Sequence, residues 1–327
     1  MEKQMSNYFL SCDWGTSSFR LKLVNRKERK VVATIEHSQG IKATFLSWKN
    51  AQSKDRIAFY QAVLREAIQQ LSQQVTINVS QLPIILSGMA SSSIGMKELP
   101  YADCPVFLNI KHLVVEHIAV NQELSHEIYL ISGVQKEDDV MRGEEIQAIG
   151  WAKDKELNDR DYTLILPGTH SKHLHLHGGQ LIDFKTYMTG ELFEIITCHS
   201  ILQNSIDQSV TWSSEAQTAF TRGVLDSKIG NLSNLLFTIR AKDLQGKWSR
   251  GASNFYLSGL LIGNELKDLS VERIVLFGDS KFEKLYKAVL ETLGHQSYEV
   301  IPPQEVENLV VWGQMAVLSA VQEMRNK

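Results

Sequence analysis

Three segments of the chain place glycine and hydroxyl residues directly after an apolar run. In the first, Tyr8-Phe9-Leu10-Ser11-Cys12 leads into Asp13-Trp14-Gly15-Thr16-Ser17-Ser18. Gly15 lets backbone N–H groups approach a phosphate closely, and Thr16 and Ser17 add hydroxyl donors. A carboxylate beside a polyphosphate, here Asp13, suits Mg²⁺, an ion that keeps several of its waters. In the second, Tyr162–Leu166 runs into Pro167-Gly168-Thr169-His170-Ser171-Lys172. Gly168, Thr169, His170 and Lys172 are its candidate phosphate ligands. In the third, the apolar run Arg273–Phe277 stops at Gly278-Asp279-Ser280, and a helical pattern follows at once. Ligands collect at the carboxyl ends of such strands, so Gly278 and Asp279 are candidates for a nucleoside. Each segment alone also reads as an ordinary turn or helix cap.

A fourth segment, Asp138-Asp139-Val140-Met141-Arg142-Gly143-Glu144-Glu145, clusters carboxylates at the start of a helical pattern. Phosphoryl transfer to a hydroxyl needs a carboxylate near that hydroxyl to take its proton. Glu144 is the first choice, with Asp139 and Glu145 as alternatives. Adjacent helical residues point about 100° apart, so one of Glu144 and Glu145 faces a given site. Arg142 suits bidentate binding of a substrate carboxylate. The plainer reading is acidic residues complementing a helix dipole, with Arg142 paired to one of them.

The elements that must position these residues alternate. Strand, tight turn and strand occur around residue 13 and again around residue 168, each followed by helices. Asp55–Gln70 carries apolar residues at helical spacing, as do Gly190–His199, Ser214–Asp226, Leu232–Ala241 and Gly251–Leu266. The expected class is α/β, in two related halves with a cleft between them. The expected division is 1–134 and 135–304, with a C-terminal helix over about 305–327 packing back on the first half. His173, His175 and His177 share one strand face. Residues two apart on a strand rarely converge on one tetrahedral metal, so a half-exposed hairpin strand is expected there rather than a zinc site.

The chain has 327 residues, 43% hydrophobic and 22% charged, with net charge −3. That is globular composition for about two domains. No basic stripe marks a nucleic-acid surface. Three dispersed cysteines fit a reduced compartment better than a disulfide framework. No signal-peptide pattern opens the chain, and no apolar run is long enough to span a bilayer. A cytoplasmic protein with no membrane partner is expected. Neither GxxxxGK[ST] nor GxGxxG is present, which disfavours P-loop kinases and Rossmann dehydrogenases.

The order of the loops resembles the sugar-kinase branch of the actin, hexokinase and heat-shock ATPase superfamily. More narrowly, the chain resembles the 2-dehydro-3-deoxygalactonokinases. Asp13-Trp14-Gly15, Met141-Arg142-Gly143-Glu144-Glu145, Pro167-Gly168-Thr169-His170 with Lys172, Thr189-Gly190-Glu191 and Ser258–Gly263 match that family's motifs in order. Ser171 departs from a frequent Cys. The resemblance implies two actin/hexokinase-like domains with an interdomain cleft. It implies ATP and Mg²⁺, and phosphorylation of 2-dehydro-3-deoxy-D-galactonate at its 6-hydroxyl in galactonate catabolism. A small-molecule sugar-acid partner follows, and a homo-oligomer is compatible. The rival expectations are a kinase of the same fold for another sugar or sugar acid, and a non-catalytic sugar sensor or assembling ATPase.

Overall fold

The structure, a computed structural model, describes residues 7–108, 112–157, 159–269 and 273–325. The chain forms two compact units. Unit 1 comprises Met1–Arg160, His177–Asp183 and Gln304–Lys327; unit 2 comprises Asp161–Leu176 and Phe184–Pro303. The division therefore falls at 160/161, where the sequence suggested 134/135. The cause is close helix packing. Helix α3 (Glu144–Ala152) meets α9 (Pro303–Arg325) at two glycines. A Cβ on Gly150 would lie 2.0 Å from the Leu309 carbonyl, and one on Gly313 would lie 2.0 Å from that of Ile146. Only bare backbone allows that approach.

In unit 1, strands β1 (Tyr8–Trp14), β2 (Phe19–Asn25), β3 (Lys30–His37), β4 (Ile84–Gly88), β7 (Val115–Ile118) and β8 (Ile128–Ile131) form one sheet. Its order is β3-β2-β1-β4-β8-β7. The first three strands are antiparallel neighbours, and β1, β4 and β8 run parallel. Helices α1 (Ile41–Asn50) and α2 (Arg56–Ser72) belong to this unit. Asp55 starts α2 by accepting from the Ala58 N–H at 2.9 Å. The core packs Leu10, Cys12, Trp14, Phe19, Tyr60 and Leu64 among others. Trp14 is fully buried, with its ring edge-on to Phe19 at 4.9 Å. The tryptophan of the first turn is thus an anchor for Asp13 and Gly15 on either side of it.

Short strands β5 (Ala102–Asp103), β6 (Val106–Phe107), β9 (Val134–Lys136) and β10 (Asp139–Met141) complete unit 1. Here β9 and β10 form an antiparallel hairpin.

Unit 2 repeats the arrangement. Strands β11 (Asp161–Leu166), β12 (Ser171–His177), β13 (Gln180–Tyr187), β14 (Ile274–Phe277) and β15 (Tyr298–Ile301) take the order β13-β12-β11-β14-β15. The last three are parallel. Numbered within its own sheet, unit 1 reads 3-2-1-4-6-5 and unit 2 reads 3-2-1-4-5, so the two share the order 3-2-1-4. This bears out the two-domain α/β class of the actin and hexokinase type. The tip of the β12–β13 hairpin belongs to unit 1, where Leu181 pairs with Val106 of β6.

Helices α4 (Thr189–His199), α5 (Ser214–Ile229), α6 (Leu232–Leu244), α7 (Arg250–Leu266) and α8 (Glu283–Leu293) follow the hairpin. Among the described residues no helix is long and apolar enough to cross a membrane.

Candidate active site

In unit 1 the end of β1 delivers Asp13 beside Gly88, the last residue of β4. A Cβ on Gly88 would lie 2.9 Å from the Trp14 carbonyl and 3.2 Å from Asp13 Oδ1, and its φ is +83°. Glycine is needed there on both counts. Gly143, with φ +116°, stands next to it, since a Cβ on Gly143 would lie 3.6 Å from Gly88 Cα. Glu144 and Glu145 follow immediately on α3. The sheet order thus brings the Asp13 turn and the acidic helix start together.

The turn itself is closed by the Gly15 N–H donating to the Ser18 carbonyl at 2.9 Å. Helix α1 holds it from behind, because Ile41 and Lys42 donate backbone N–H groups to the Gly15 and Thr16 carbonyls. Thr16 and Ser17 remain exposed.

Charge is concentrated at this corner. The Asp13 carboxyl is pushed up by burial; Arg20 and Lys22 pull it back, and Glu144 pushes it further up. Arg20 Nη1 lies 3.5 Å from Asp13 Oδ2. Glu145 is 2% exposed, and its carboxyl is pushed up to about 8 by burial and then by Glu144. The Gly143 N–H donates to Glu145 Oε2 at 2.7 Å, while Oε1 is buried without a partner. The Arg142 N–H donates to Glu144 Oε2 at 3.1 Å. Glu144 is half-buried and acts on both Asp13 and Glu145.

Arg142 is anchored rather than free. Its Nη1 donates to the Ser91 carbonyl at 2.7 Å and to the Ser91 hydroxyl, and its guanidinium lies 4.2 Å from the Tyr101 ring centre. Asp139 sits on β10, paired in register with Lys136, where its carboxylate accepts from the Val140 N–H at 2.8 Å. It lies on the hairpin before the acidic helix start.

In unit 2 the Gly168 turn meets the start of α4. A Cβ on Gly190 would lie 2.6 Å from the Gly168 carbonyl. The Glu191 N–H donates to the Thr169 carbonyl at 3.1 Å, and His170 Nε2 lies 2.6 Å from Glu191 Oε2. Thr169 and His170 are exposed; Lys172 is buried in β12.

Gly278 pairs with Ile301 through its N–H at 2.7 Å, and Asp279 Oδ1 accepts from the Lys281 and Phe282 N–H groups at 2.7 and 3.1 Å. Asp279 therefore shapes the entry to α8. A cavity of about 250 Å³ opens in unit 2, walled by Gly168, Gly190, Asn254, Phe282 and Tyr286 among others. Lys281 and Phe282, just past the predicted Gly278-Asp279, line it.

The histidine strand is not half-exposed as expected. His173 is 2% exposed, and its Nε2 lies 2.9 Å from Glu265 Oε1. Glu265 lies on α7 and also accepts from Ser171 Oγ at 2.7 Å, from Tyr286 OH at 2.9 Å and from the Thr189 hydroxyl. This hub escaped the sequence reading. A lone carboxylate in the apolar run Ser258–Leu266 was the available signal. Among the described residues no group of three or more His, Cys, Asp or Glu forms a metal cluster.

A model of the family described as 2-keto-3-deoxy-galactonokinase matches residues 13–313. A Rhizobium meliloti protein assigned as a 2-dehydro-3-deoxygalactonokinase is 30% identical over 300 residues, covering 88% of this chain and 90% of that one. The Escherichia coli 2-dehydro-3-deoxygalactonokinase is 27% identical, covering 81% of each chain. A crystal structure from Sinorhizobium meliloti assigned to the same kinases superposes with a TM-score of 0.79. It is 28% identical and covers 96% of this chain and 99% of that one.

Proposed function

The chain belongs to the 2-keto-3-deoxy-galactonokinase family, and from that premise we propose the roles its residues take in ATP-dependent phosphorylation of 2-dehydro-3-deoxy-D-galactonate at the 6-hydroxyl. The observation that supports the assignment best is the meeting of the Asp13 turn with the start of α3 across Gly88 and Gly143. It sets one carboxylate at the turn we assign to phosphate and a second at the head of the neighbouring helix.

In this reading the turns at Gly15-Thr16-Ser17 and Gly168-Thr169-His170 hold phosphates through backbone N–H groups and hydroxyls. Glu144 takes the proton of the acceptor hydroxyl as the phosphoryl group transfers. Glu145 is a weaker choice, because it is buried and one of its oxygens is already held by Gly143. Arg142, fixed by Ser91 and Tyr101, presents a cation for the acid's carboxylate. Lys172, buried beneath the second turn, supports it from within β12.

The donor set at Asp13 fits Mg²⁺. A hard cation bound through one carboxylate, waters and substrate phosphates needs no cluster of protein ligands. Glu144 and burial both disfavour the bare Asp13 anion, so a cation is welcome there. Asp13 would hold the ion, and the ion would neutralise charge on the transferring phosphates.

The test is ADP release with MgATP, with and without 2-dehydro-3-deoxy-D-galactonate. Acceptor-dependent release is expected. Release only with a different sugar would keep the kinase and replace the substrate. No release with any acceptor would overturn the reading.

A further inference from the structure

Glu265 is a buried carboxylate that the proposed chemistry leaves unused. It sits near the end of α7 and accepts from three hydroxyls. Ser171 Oγ donates to Oε1 at 2.7 Å, and Tyr286 OH donates to Oε2 at 2.9 Å, where the Thr189 hydroxyl also donates. His173 Nε2 lies 2.9 Å from Oε1. Apolar residues of the same volume would join these elements at least as firmly. What the carboxylate adds is direction. It only accepts, so each hydroxyl is made to donate and its side chain is held in one orientation.

Two of these partners bracket the turn assigned above to phosphate. Ser171 follows His170 directly, so it fixes the end of Gly168-Thr169-His170 where β12 begins. Thr189 opens α4 and precedes Gly190, on which a Cβ would lie 2.6 Å from the Gly168 carbonyl and 2.8 Å from Thr169 Cα. The Glu191 N–H then donates to the Thr169 carbonyl at 3.1 Å. The turn and the head of α4 are thus wedged together at their backbones, and Glu265 grips the chain on both sides of the wedge. Gly168, Thr189 and Tyr286 also border the 250 Å³ cavity, so two of the three hydroxyls at Glu265 belong to residues of that wall. Backbone N–H groups bind phosphate only while they converge, which requires the turn to be held within about 0.5 Å.

We propose that Glu265 is a positioning residue for the second phosphate turn: through Ser171 and Thr189 it keeps Gly168-Thr169-His170 seated on α4 in the shape that binds phosphate. This deepens the proposed function and rests on its assignment of that turn to phosphate. Glu265 touches no reacting atom. Its effect reaches the nucleotide through the turn, whereas the sugar acid, assigned above to Arg142 in unit 1, does not depend on it.

The experiment measures the Kd of ADP with Mg²⁺, the KM of the sugar acid at saturating MgATP, and Tm, all in the full chain. Thr189→Val keeps the shape and removes the hydroxyl. Glu265→Gln keeps the size and sets an NH₂ group against hydroxyls that donate. Both should weaken ADP about tenfold, the worth of one hydrogen bond, and leave the KM of the sugar acid unchanged. Thr189→Ser restores the hydroxyl and should bind ADP as the natural protein does. Tm checks that each variant is folded at the assay temperature; Thr189→Val decides alone if Glu265→Gln is not. Gly168→Ala tests the assignment beneath, because apart from its chain neighbours a Cβ there would meet nothing nearer than the His170 carbonyl at 3.9 Å, so a bound phosphate is what would feel it. If Gly168→Ala binds ADP as the natural protein does, the turn holds no phosphate and both readings fall. If Gly168→Ala weakens ADP while Thr189→Val and Glu265→Gln do not, the role of Glu265 alone falls. It falls too if Thr189→Ser binds no better than Thr189→Val, or if the KM of the sugar acid rises in step with the Kd of ADP, the mark of a general loosening.

Discussion

In unit 2 the Ser171 hydroxyl donates to Glu265 Oε1 over 2.7 Å, and both residues are shut away from solvent. Because Glu265 also accepts from Tyr286 and Thr189 and meets His173, one carboxylate ties β12, α4 and α8 to α7. Glu265→Ala would orphan these groups together. Breaking such a buried charged network costs about 3–5 kcal/mol, which corresponds to a fall in Tm of roughly 10 °C. Thermal unfolding measures it; a Tm within a degree or two of the natural protein would contradict the hub.

Asp13→Asn should separate stability from activity. The carboxyl of Asp13 is raised by burial, so the folded state disfavours its anion at neutral pH. Removing the charge should hold or raise Tm while acceptor-dependent turnover falls more than about a hundredfold, as expected for loss of a group that supports phosphate charge. Paired measurements of Tm and kcat check both halves. Near-normal turnover would remove Asp13 from the site.

Glu144→Gln should lower kcat by about 10²–10⁴ and leave the KM for ATP close to natural, the pattern for loss of a general base. Steady-state kinetics with both substrates varied decide it. The same pattern in Glu145→Gln, with Glu144→Gln nearly normal, would move the role by one residue.

Glu145 gives the protein a pH-dependent stability. Its carboxyl titrates at about 8 when folded, against an ordinary value of 4.5. Between those pH values the folded state keeps a proton that the unfolded chain has released. Stability from this group is therefore fully present below 4.5, falls as pH rises through the window, and levels off above about 8. Glu145→Gln should flatten the fall of Tm across pH 5–8. Parallel Tm profiles for the two proteins would contradict the assignment.

The strand–turn–strand units at Asp13 and Gly168 were legible in the sequence because local signals specify them: apolar runs, a glycine and hydroxyl residues. Helix α1 was not, since Gly40 at its start supplies no side-chain cap and its role is to hold the Gly15 turn through backbone groups. The β9–β10 hairpin was missed because strands of three residues carry too little periodicity. The exposure of the histidine strand was misjudged for a different reason. His173 is buried by its contact with Glu265, 92 residues away in the chain, and no local pattern records such a partner. The joining of 135–160 to the first half rested on Gly150 and Gly313, whose meaning depends on two helices that cross.

Unit 1 is closed by its last helix. Gln314 of α9 donates through Nε2 to the Cys12 carbonyl at 2.9 Å and to Ser87 Oγ at 2.7 Å, at the strand ends that bear the Asp13 turn. A ribosome emits residues 8–88 long before residue 314, and the whole of unit 2 appears in between. During synthesis the first sheet must wait with those polar groups unpaired, while the second unit already has all of its own chain. Vectorial assembly would thus complete the later half first and lock the earlier one last, so nascent chains arrested before α9 should be protected from protease in unit 2 and cut in unit 1.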